Sequence, residues 1–227
     1  MKILAIETTI PVGSLAFFSD GILLRHSPLP TAQRSAAVLA PQLQQALREI
    51  GWSPRDVQLV AVSIGPGSFT GVRIGLVTAK LFAYAVGARL IGVDSLDVVA
   101  QGVPDSYSPL VVLADAQRGD VTAKVFTWES NNGWRAEKPS GLVRPQEWLA
   151  SLALGQPFWL AGPGLYKHRE LLGNQYRLVP EHLWNPSAVG VGKLAWRQFL
   201  EGQTDDVWTL KPIYYRPSYA EEKRLKD

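Results

Sequence analysis

Three short strands at the start of the chain constrain its fold more than any other feature of the sequence. Lys2–Ile6 is a short apolar run, and Gly13–Phe18 and Ile22–His26 flank the turn Ser19-Asp20-Gly21. An Asp-Gly step between two such runs is a strong signal for a β-hairpin. At least two of the opening strands are therefore expected to pair antiparallel, which excludes a purely parallel, doubly wound sheet.

Helices and buried strands alternate after this hairpin. The spacing of apolar residues predicts a helix at Ser35–Ile50, which Pro41 is expected to bend. Val57–Ile64 is a continuous apolar run, typical of a buried parallel strand, and a second helix is predicted at Gly71–Val86. Strands followed by alternating strands and helices predict an α/β fold with mixed sheets.

The chain is predicted to form two lobes. Pro, Ser and Asp cluster at 104–109, close to Gly102, and we interpret this stretch as a linker between a first lobe at 1–103 and a second lobe at 104–227. The second lobe repeats the order of strands and helices loosely. Its tail, from residue 211 onward, has two prolines and no helical period until its end, so it is predicted to pack as an extended strap.

Composition excludes several classes of function. The 227 residues include no cysteine, so disulfides and thiolate chemistry are excluded. The net charge of +3 is spread along the chain, whereas autonomous binding of nucleic acid needs clustered basic residues. The sequence has no run of 18 apolar residues and no signal-peptide pattern at its start, so we expect a cytoplasmic protein without a membrane span.

A glycine-rich loop, SIGPGSFTGVRIGL at Ser63–Leu76, is the first candidate for a binding site. It fails the spacing of the GxxxxGK[ST] phosphate loop. It fails GxGxxG as well, because Gly65 and Gly67 are followed by Thr70 at the third position and Gly71 comes one residue late. Two interpretations stay open. The following helix N-terminus binds an anion, or the glycines only permit a turn and close packing.

The helix after this loop carries a continuous stripe of small residues. The stripe falls at positions i, i+4, i+8 and i+12: Gly71, Gly75, Ala79 and Ala83. Such a stripe allows another element to approach closely. Two occupants stay open, namely packing inside the same lobe and a helix of another chain.

Other candidate chemistry is sparse. Glu7-Thr8-Thr9 ends the first strand, where a carboxylate could reach a metal-bound water, and Asp115 and Asp120 flank a turn that could bind a cation. A capping role for the first acid and an Asx-turn for the other two explain the same residues. The three histidines lack the i, i+4 spacing of a helical zinc site: His26, His168 and His182. No metal site is predicted.

Several stretches, in the same order, resemble the TsaB (YeaZ) proteins. They are ILAIETT, the Arg34-Ser35 helix with Pro41, GPGSFTGVRIGL, DAQRGDV, AGPG, NPSAVGVGKLA and KPIYYRPSYAEEKR. The resemblance covers nearly the whole chain. It implies a two-lobed, ribonuclease H-like fold of the actin, Hsp70 and sugar-kinase type. It also implies a cytosolic protein needed for threonylcarbamoyladenosine, the modification next to the anticodon of tRNA.

The resemblance implies a non-catalytic scaffold. In this pathway TsaD is the catalytic transferase, TsaE is an ATPase, and TsaB binds and supports TsaD through two helices of its first lobe. The same helices pair two TsaB copies when TsaD is absent, and tRNA is met only through the complex. The residues assigned to this interface are Arg34, Val38, Leu39, Gln42, Gly71, Arg73, Gly75, Thr78, Ala79 and Phe82. Arg34 stands where TsaB proteins often carry histidine. On this interpretation Gly75→Leu abolishes partner binding and leaves the chain folded.

The resemblance also implies a degenerate nucleotide site without cofactor or metal. Its residues are Glu7, Thr8, Thr9, Asp115 and Gly162. Pro11 has no N–H to donate to a phosphate, and Asp115 is followed by Ala116, Gln117 and Arg118 instead of glycines. No catalytic residue is therefore predicted.

Two other functions remain as alternatives. An ATP-dependent kinase or hydrolase of the same fold predicts that the isolated chain binds nucleotide through Glu7 and Asp115. A tRNA-binding module predicts salt-sensitive retention of tRNA by this chain alone, against which the scattered charge argues.

Overall fold

A computed structural model describes residues 1–30 and 35–216, and it contains two five-stranded mixed sheets. The strands of the first sheet are β1 (Lys2–Glu7), β2 (Ser14–Ser19), β3 (Ile22–Pro28), β4 (Leu59–Ser63) and β5 (Arg89–Val93). Those of the second sheet are β6 (Leu110–Asp115), β7 (Val121–Glu129), β8 (Gly133–Val143), β9 (Trp159–Ala161) and β10 (Arg177–Leu178). The predicted α/β class with mixed sheets is confirmed.

The two sheets share one topology. The first has the order β3-β2-β1-β4-β5, with β1, β2 and β3 antiparallel and β4 and β5 parallel to β1. The second has the order β8-β7-β6-β9-β10 with the same directions. The predicted hairpin is present, and Asp20 and Gly21 both have positive φ, as a tight hairpin turn requires.

Six α-helices connect and cover the sheets in the part of the chain that the structure describes. They are α1 (Ser35–Glu49), α2 (Phe69–Val86), α3 (Ser95–Gly102), α4 (Pro145–Ser151), α5 (Leu165–Leu172) and α6 (Ala188–Leu200). Helix α2 begins two residues before the predicted Gly71, because the Ser68 hydroxyl accepts a hydrogen bond from Gly71 N at 3.2 Å. It ends as predicted at Gly87, which adopts a left-handed conformation.

The chain returns to the first sheet after the second sheet is complete. Helix α6 packs on the face of the first sheet opposite α1 and α2, in a core that includes Ile3 and Val191. Its approach is close, since a Cβ added to Gly192 would lie 2.1 Å from the Phe18 ring. The division at 103/104 stays a prediction, and a segment beyond it completes the core of the first lobe.

Helix α2 is strongly apolar. Among the described residues it is the one helix long and apolar enough, by length and composition alone, to cross a membrane. Six of its 18 residues are buried in the protein core, and both of its ends are capped. Helices that form the core of a globular domain have this composition as well.

Candidate functional site: a helix surface and an interlobe cleft

The small-residue stripe of α2 faces the sheet of its own lobe. A Cβ added to Gly71 would lie 2.0 Å from the Thr8 carbonyl oxygen, and one added to Gly75 would lie 2.2 Å from Thr8 Oγ1. Thr8 Oγ1 donates a hydrogen bond to the Gly71 carbonyl at 2.8 Å. Both alanines of the stripe are fully buried. Of the two interpretations left open by the sequence, these contacts support packing inside the lobe.

The predicted contact of Gly71, Gly75 and Ala79 with a partner therefore needs correction. All three are buried against their own lobe in this structure, so they have no surface to offer to another chain. The expectation that Gly75→Leu leaves the chain folded needs correction for the same reason, because the larger side chain would collide with Thr8.

The opposite side of α2 carries an exposed apolar stripe, which we call the outer α2 stripe. It consists of Val77, Leu81 and Tyr84, which are 53%, 65% and 65% exposed and are spaced i, i+4 and i+7. Trp208 of the C-terminal segment is 72% exposed and lies beside it, with its ring centroid 5.2 Å from that of Tyr84. The apolar character of α2 was evident in the sequence, but which side would be solvent-exposed was not.

Of the remaining interface candidates, Phe82 lines a groove between α1 and α2. Thr78, Phe82 and Gln42 are half-buried, whereas Val38 and Leu39 lie on the buried side of α1 and belong to the core. Arg73 is exposed, and the predicted role of Arg34 lies outside the described residues. The groove has a volume of about 550 Å³ and is mostly apolar; its lining includes Pro41, Leu47, Trp52 and Phe82.

A second concave site lies in the cleft between the lobes. It has a volume of about 350 Å³ and is lined by the glycine loop at Pro66 and Gly67, by the turn that starts at Asp115, and by Ile213–Arg216 of the C-terminal segment. Of the five residues predicted to form a degenerate nucleotide site, Asp115 alone lines this cavity in the described part of the chain.

Glu7 and its neighbours form an internal hydrogen-bond network. One carboxylate oxygen of Glu7 accepts bonds from the backbone N–H and the hydroxyl of Thr9, at 2.5 Å each, and the other accepts a bond from the Ser63 hydroxyl. Burial raises the pKa of Glu7, although the hydrogen bonds from Ser63 and Thr9 act in the opposite direction. The Thr9 carbonyl accepts a bond from Ser68 N at 2.7 Å, so this network fixes the glycine loop in place.

The two acids of the second-lobe turn are both engaged. Asp115 accepts a bond from Lys167 Nζ, and its Oδ1 lies 3.3 Å from His168 Nε2. Burial alone would raise the pKa of Asp115, but the bonds from Lys167 and His168 outweigh it and leave that pKa below its ordinary value. Asp120 pairs with Arg144 and with Arg216. Among the described residues no group of three or more His, Cys, Asp or Glu side chains could hold a metal ion.

Gly162 has a packing role in this structure. Its φ is +107°, and a Cβ added there would lie 2.2 Å from the Leu113 carbonyl oxygen. Gly164 N then donates to the same carbonyl at 2.9 Å. The AGPG step thus seats the start of α5 directly on β6.

Comparison with known proteins places this architecture in a family. Residues 26–133, which include α1 and α2, match the family model of TsaD, tRNA N6-adenosine threonylcarbamoyltransferase. The solved structure of YeaZ from Pseudomonas aeruginosa superposes with a TM-score of 0.80 at 22% identity, over 94% of this chain and 99% of that one, which shows the fold. The tRNA threonylcarbamoyladenosine biosynthesis protein TsaB of Escherichia coli is 31% identical over 236 residues, covering 98% of both chains. The chain belongs to the TsaB family.

TsaB of Bacillus subtilis is also similar along the full length, with 26% identity over 100% of this chain and 99% of its own. The resemblance inferred from the sequence motifs is therefore confirmed, and so is the two-lobed fold that it implied. The names of these relatives assign them to the biosynthesis of threonylcarbamoyladenosine in tRNA, and they do not specify a reaction.

Proposed function

We propose that this TsaB-family chain is a non-catalytic subunit in the formation of N6-threonylcarbamoyladenosine in tRNA, and that it acts by binding a TsaD-like transferase. The observation that carries the proposal is the outer α2 stripe. Its three large apolar residues are more than half exposed and lie on α2, inside the segment 26–133 that matches the TsaD family model. Exposed contiguous apolar surface marks sites of protein–protein contact.

The shared helix pair indicates the geometry of the contact. Because the TsaD model matches the segment that contains α1 and α2, a TsaD-like partner presents a comparable helix pair. Two such pairs pack in a nearly two-fold arrangement, as in an isologous interface. The same surface then pairs two copies of this chain when the partner is absent. Burial of apolar surface contributes roughly 25 cal/mol per Å² before the entropic costs of association.

The partner-facing residues proposed here come from the exposed side of the helices. They are Val77, Leu81 and Tyr84 of the outer α2 stripe, together with Arg73, Thr78, Phe82 and Gln42 around it. We further propose that a TsaE-like ATPase and tRNA are engaged only through the complex, and that the complex is cytoplasmic.

Support for a non-catalytic role comes from the use of the acids. The Glu7 carboxylate is hydrogen-bonded to Ser63 and Thr9. The Asp115 carboxylate is bonded to Lys167 and lies within hydrogen-bond distance of His168. Neither carboxylate is left free to bind a metal–phosphate group, so we assign no cofactor.

The rival function is an ATP-dependent kinase or hydrolase, and the cleft cavity that Asp115 lines is the observation in its favour. Titration of the isolated chain with Mg-ATP separates the two functions, since only the rival predicts binding.

The proposed interface is tested by one charged substitution and a matched control. Leu81→Glu places a carboxylate in the centre of the outer α2 stripe and is expected to weaken binding to the TsaD-like subunit at least about tenfold, or ~1.4 kcal/mol. Leu171→Glu changes the same residue type at a site on α5 that is 58% exposed and is expected to leave binding unchanged. Affinities from biolayer interferometry check this, with thermal melts to show that both variants fold. Equal affinities for the two variants would remove α2 from the interface.

A further inference from the structure

The segment 205–216, which we call the C-terminal strap, begins on the free edge of the first sheet. Asp205 N donates to the Leu90 carbonyl at 2.8 Å, and Asp205 Oδ2 accepts a bond from Gly92 N at 2.8 Å. Edge strand β5 thus gains a partner for part of its length. Farther along, Val207 and Leu210 pack against the core beneath α2.

The middle of the strap is fixed to the glycine loop and to the start of α2. Ile213 N donates to the Ile64 carbonyl at 2.8 Å. The Tyr214 ring stacks on that of Phe69 with centroids 5.1 Å apart, and its hydroxyl accepts a bond from Arg73 Nε at 3.0 Å. The strap is therefore anchored on the first lobe by backbone, aromatic and polar contacts.

The end of the strap crosses to the second lobe. Arg216 Nη2 donates to Asp120 Oδ2 at 2.6 Å, and Arg216 Nε donates to the Ala116 carbonyl at 3.2 Å. Both acceptors belong to the turn between β6 and β7. The Arg216 and Asp120 side chains are half-buried, and charge-assisted bonds of this kind are stronger than neutral ones.

We propose that the C-terminal strap is a clasp that holds the two lobes in one arrangement and roofs the cleft between them. Four consecutive strap residues, Ile213–Arg216, line the cavity. Two-lobed proteins commonly close by hinge motion around a ligand. In this chain a segment of the same polypeptide bonds both sides of the cleft and so opposes such a motion. This inference is independent of the proposed binding of a TsaD-like subunit.

A second contact between the lobes limits how far they can move when the clasp is lost. Lys124 of β7 bonds to Asp94 at 2.8 Å and to Asp97 at 2.9 Å, where α3 leaves the first sheet. The strap supplies none of the three charged groups of this cluster, so we expect the cluster to persist in the strap variants. Loss of the clasp is therefore expected to loosen the cleft and not to separate the lobes.

The absence of cysteine allows a direct measurement of lobe motion. Nitroxide labels are placed on Arg55→Cys in the first lobe and Ala150→Cys on α4 of the second lobe, both exposed. Double electron–electron resonance is expected to give one narrow distance distribution for the labelled parent. Arg216→Ala, alone and combined with Tyr214→Ala, is expected to broaden that distribution and shift it.

Two substitutions serve as matched controls for the clasp. Arg144→Ala removes the other guanidinium bound to Asp120, at 3.1 Å, but leaves the strap untouched. Trp208→Ala removes a strap side chain whose ring contact, with Tyr84, lies within the first lobe. Both are expected to keep the narrow distribution. Hydrogen exchange at 116–120 is the second readout, and it should rise in the variants that lack Arg216 and stay at the parent level in Trp208→Ala. A distribution and an exchange rate in Arg216→Ala that match those of the parent would overturn the clasp.

Discussion

At the scale of single residues, position in the fold decided the role of the acids more than residue type did. Glu7 at the end of the first strand was a reasonable candidate for metal or nucleotide chemistry, since acids at strand ends often face a cleft. In the structure Glu7 is fully buried and accepts bonds from Ser63 and Thr9. The partner Ser63 is 56 residues away in sequence, so no local pattern announces the contact.

The pKa of Glu7 makes a prediction about stability. Because burial raises this pKa above its ordinary value of 4.5, the folded protein keeps a proton at pH values where the unfolded chain has lost it. The contribution of Glu7 to stability therefore falls as pH rises from 4.5 through the raised pKa. Glu7→Gln removes this dependence. In urea unfolding between pH 4.5 and 8, the free energy of unfolding of the variant should rise relative to that of the parent as pH rises. If the two free energies change with pH in parallel, Glu7 is not a buried group with a raised pKa.

The glycines of α2 give a second residue-scale prediction. Gly71→Ala adds a Cβ 2.0 Å from a backbone oxygen of Thr8, which has to move, so we expect a loss of about 1–3 kcal/mol. Gly102→Ala on α3 has no atom within 4 Å of the added Cβ and is expected to leave stability unchanged or slightly higher. Urea denaturation of both variants checks this. Equal stabilities would show that α2 does not need glycine against β1.

At the scale of elements, the sequence indicates which helices exist but not which side of each helix is buried. The pattern of α2 predicted its type and its end at Gly87 correctly. The Gly/Ala stripe suited a sheet or a partner helix equally well, because close approach needs small residues in either case. Only the position of β1 against α2 shows that the stripe is buried and that Leu81 and Tyr84 face outward.

The contact between α3 and β7 supplies an element-scale prediction. Lys124 lies between Asp94 and Asp97, and the pKa of Asp97 is raised by burial and by Asp94, against the effect of Lys124. Lys124→Met removes the cation that both acids share and is expected to cost about 2–4 kcal/mol at pH 7. The cost should shrink toward pH 4, because the raised pKa of Asp97 lets that carboxyl take up a proton as the pH falls. Adding Asp97→Asn should recover part of the stability. A pH-independent loss in denaturation experiments would mean that packing, not charge, is responsible.

At the scale of the whole molecule, the two-lobed architecture was accessible from the sequence because each lobe repeats the same order of strands and helices. The hairpin at Asp20-Gly21 and the continuous apolar run of β4 identified a mixed sheet. The return of α6 to the first sheet was not foreseen, because amphipathic spacing shows that a helix has a buried side and not which sheet it covers. The strap was predicted as extended, but its anchors depend on distant partners such as Asp120.

The same limit applies to the functional site. Motifs in the sequence were enough to indicate the family, which full-length similarity to TsaB of Escherichia coli confirmed. They could not tell which of the assigned interface residues reach the surface. Burial in the folded chain removes Gly71, Gly75 and Ala79 from the surface and adds the outer α2 stripe in their place.

The central claim is that this chain works by joining a TsaD-like subunit through the outer side of α2. The most direct test is the molar mass of the mixture, measured by light scattering after size-exclusion chromatography. The account predicts a one-to-one complex that exceeds the partner alone by the 24.9 kDa of this chain, retained by Leu171→Glu and lost in Leu81→Glu. A partner whose mass is unchanged by the parent chain, or a complex that survives Leu81→Glu intact, would contradict it.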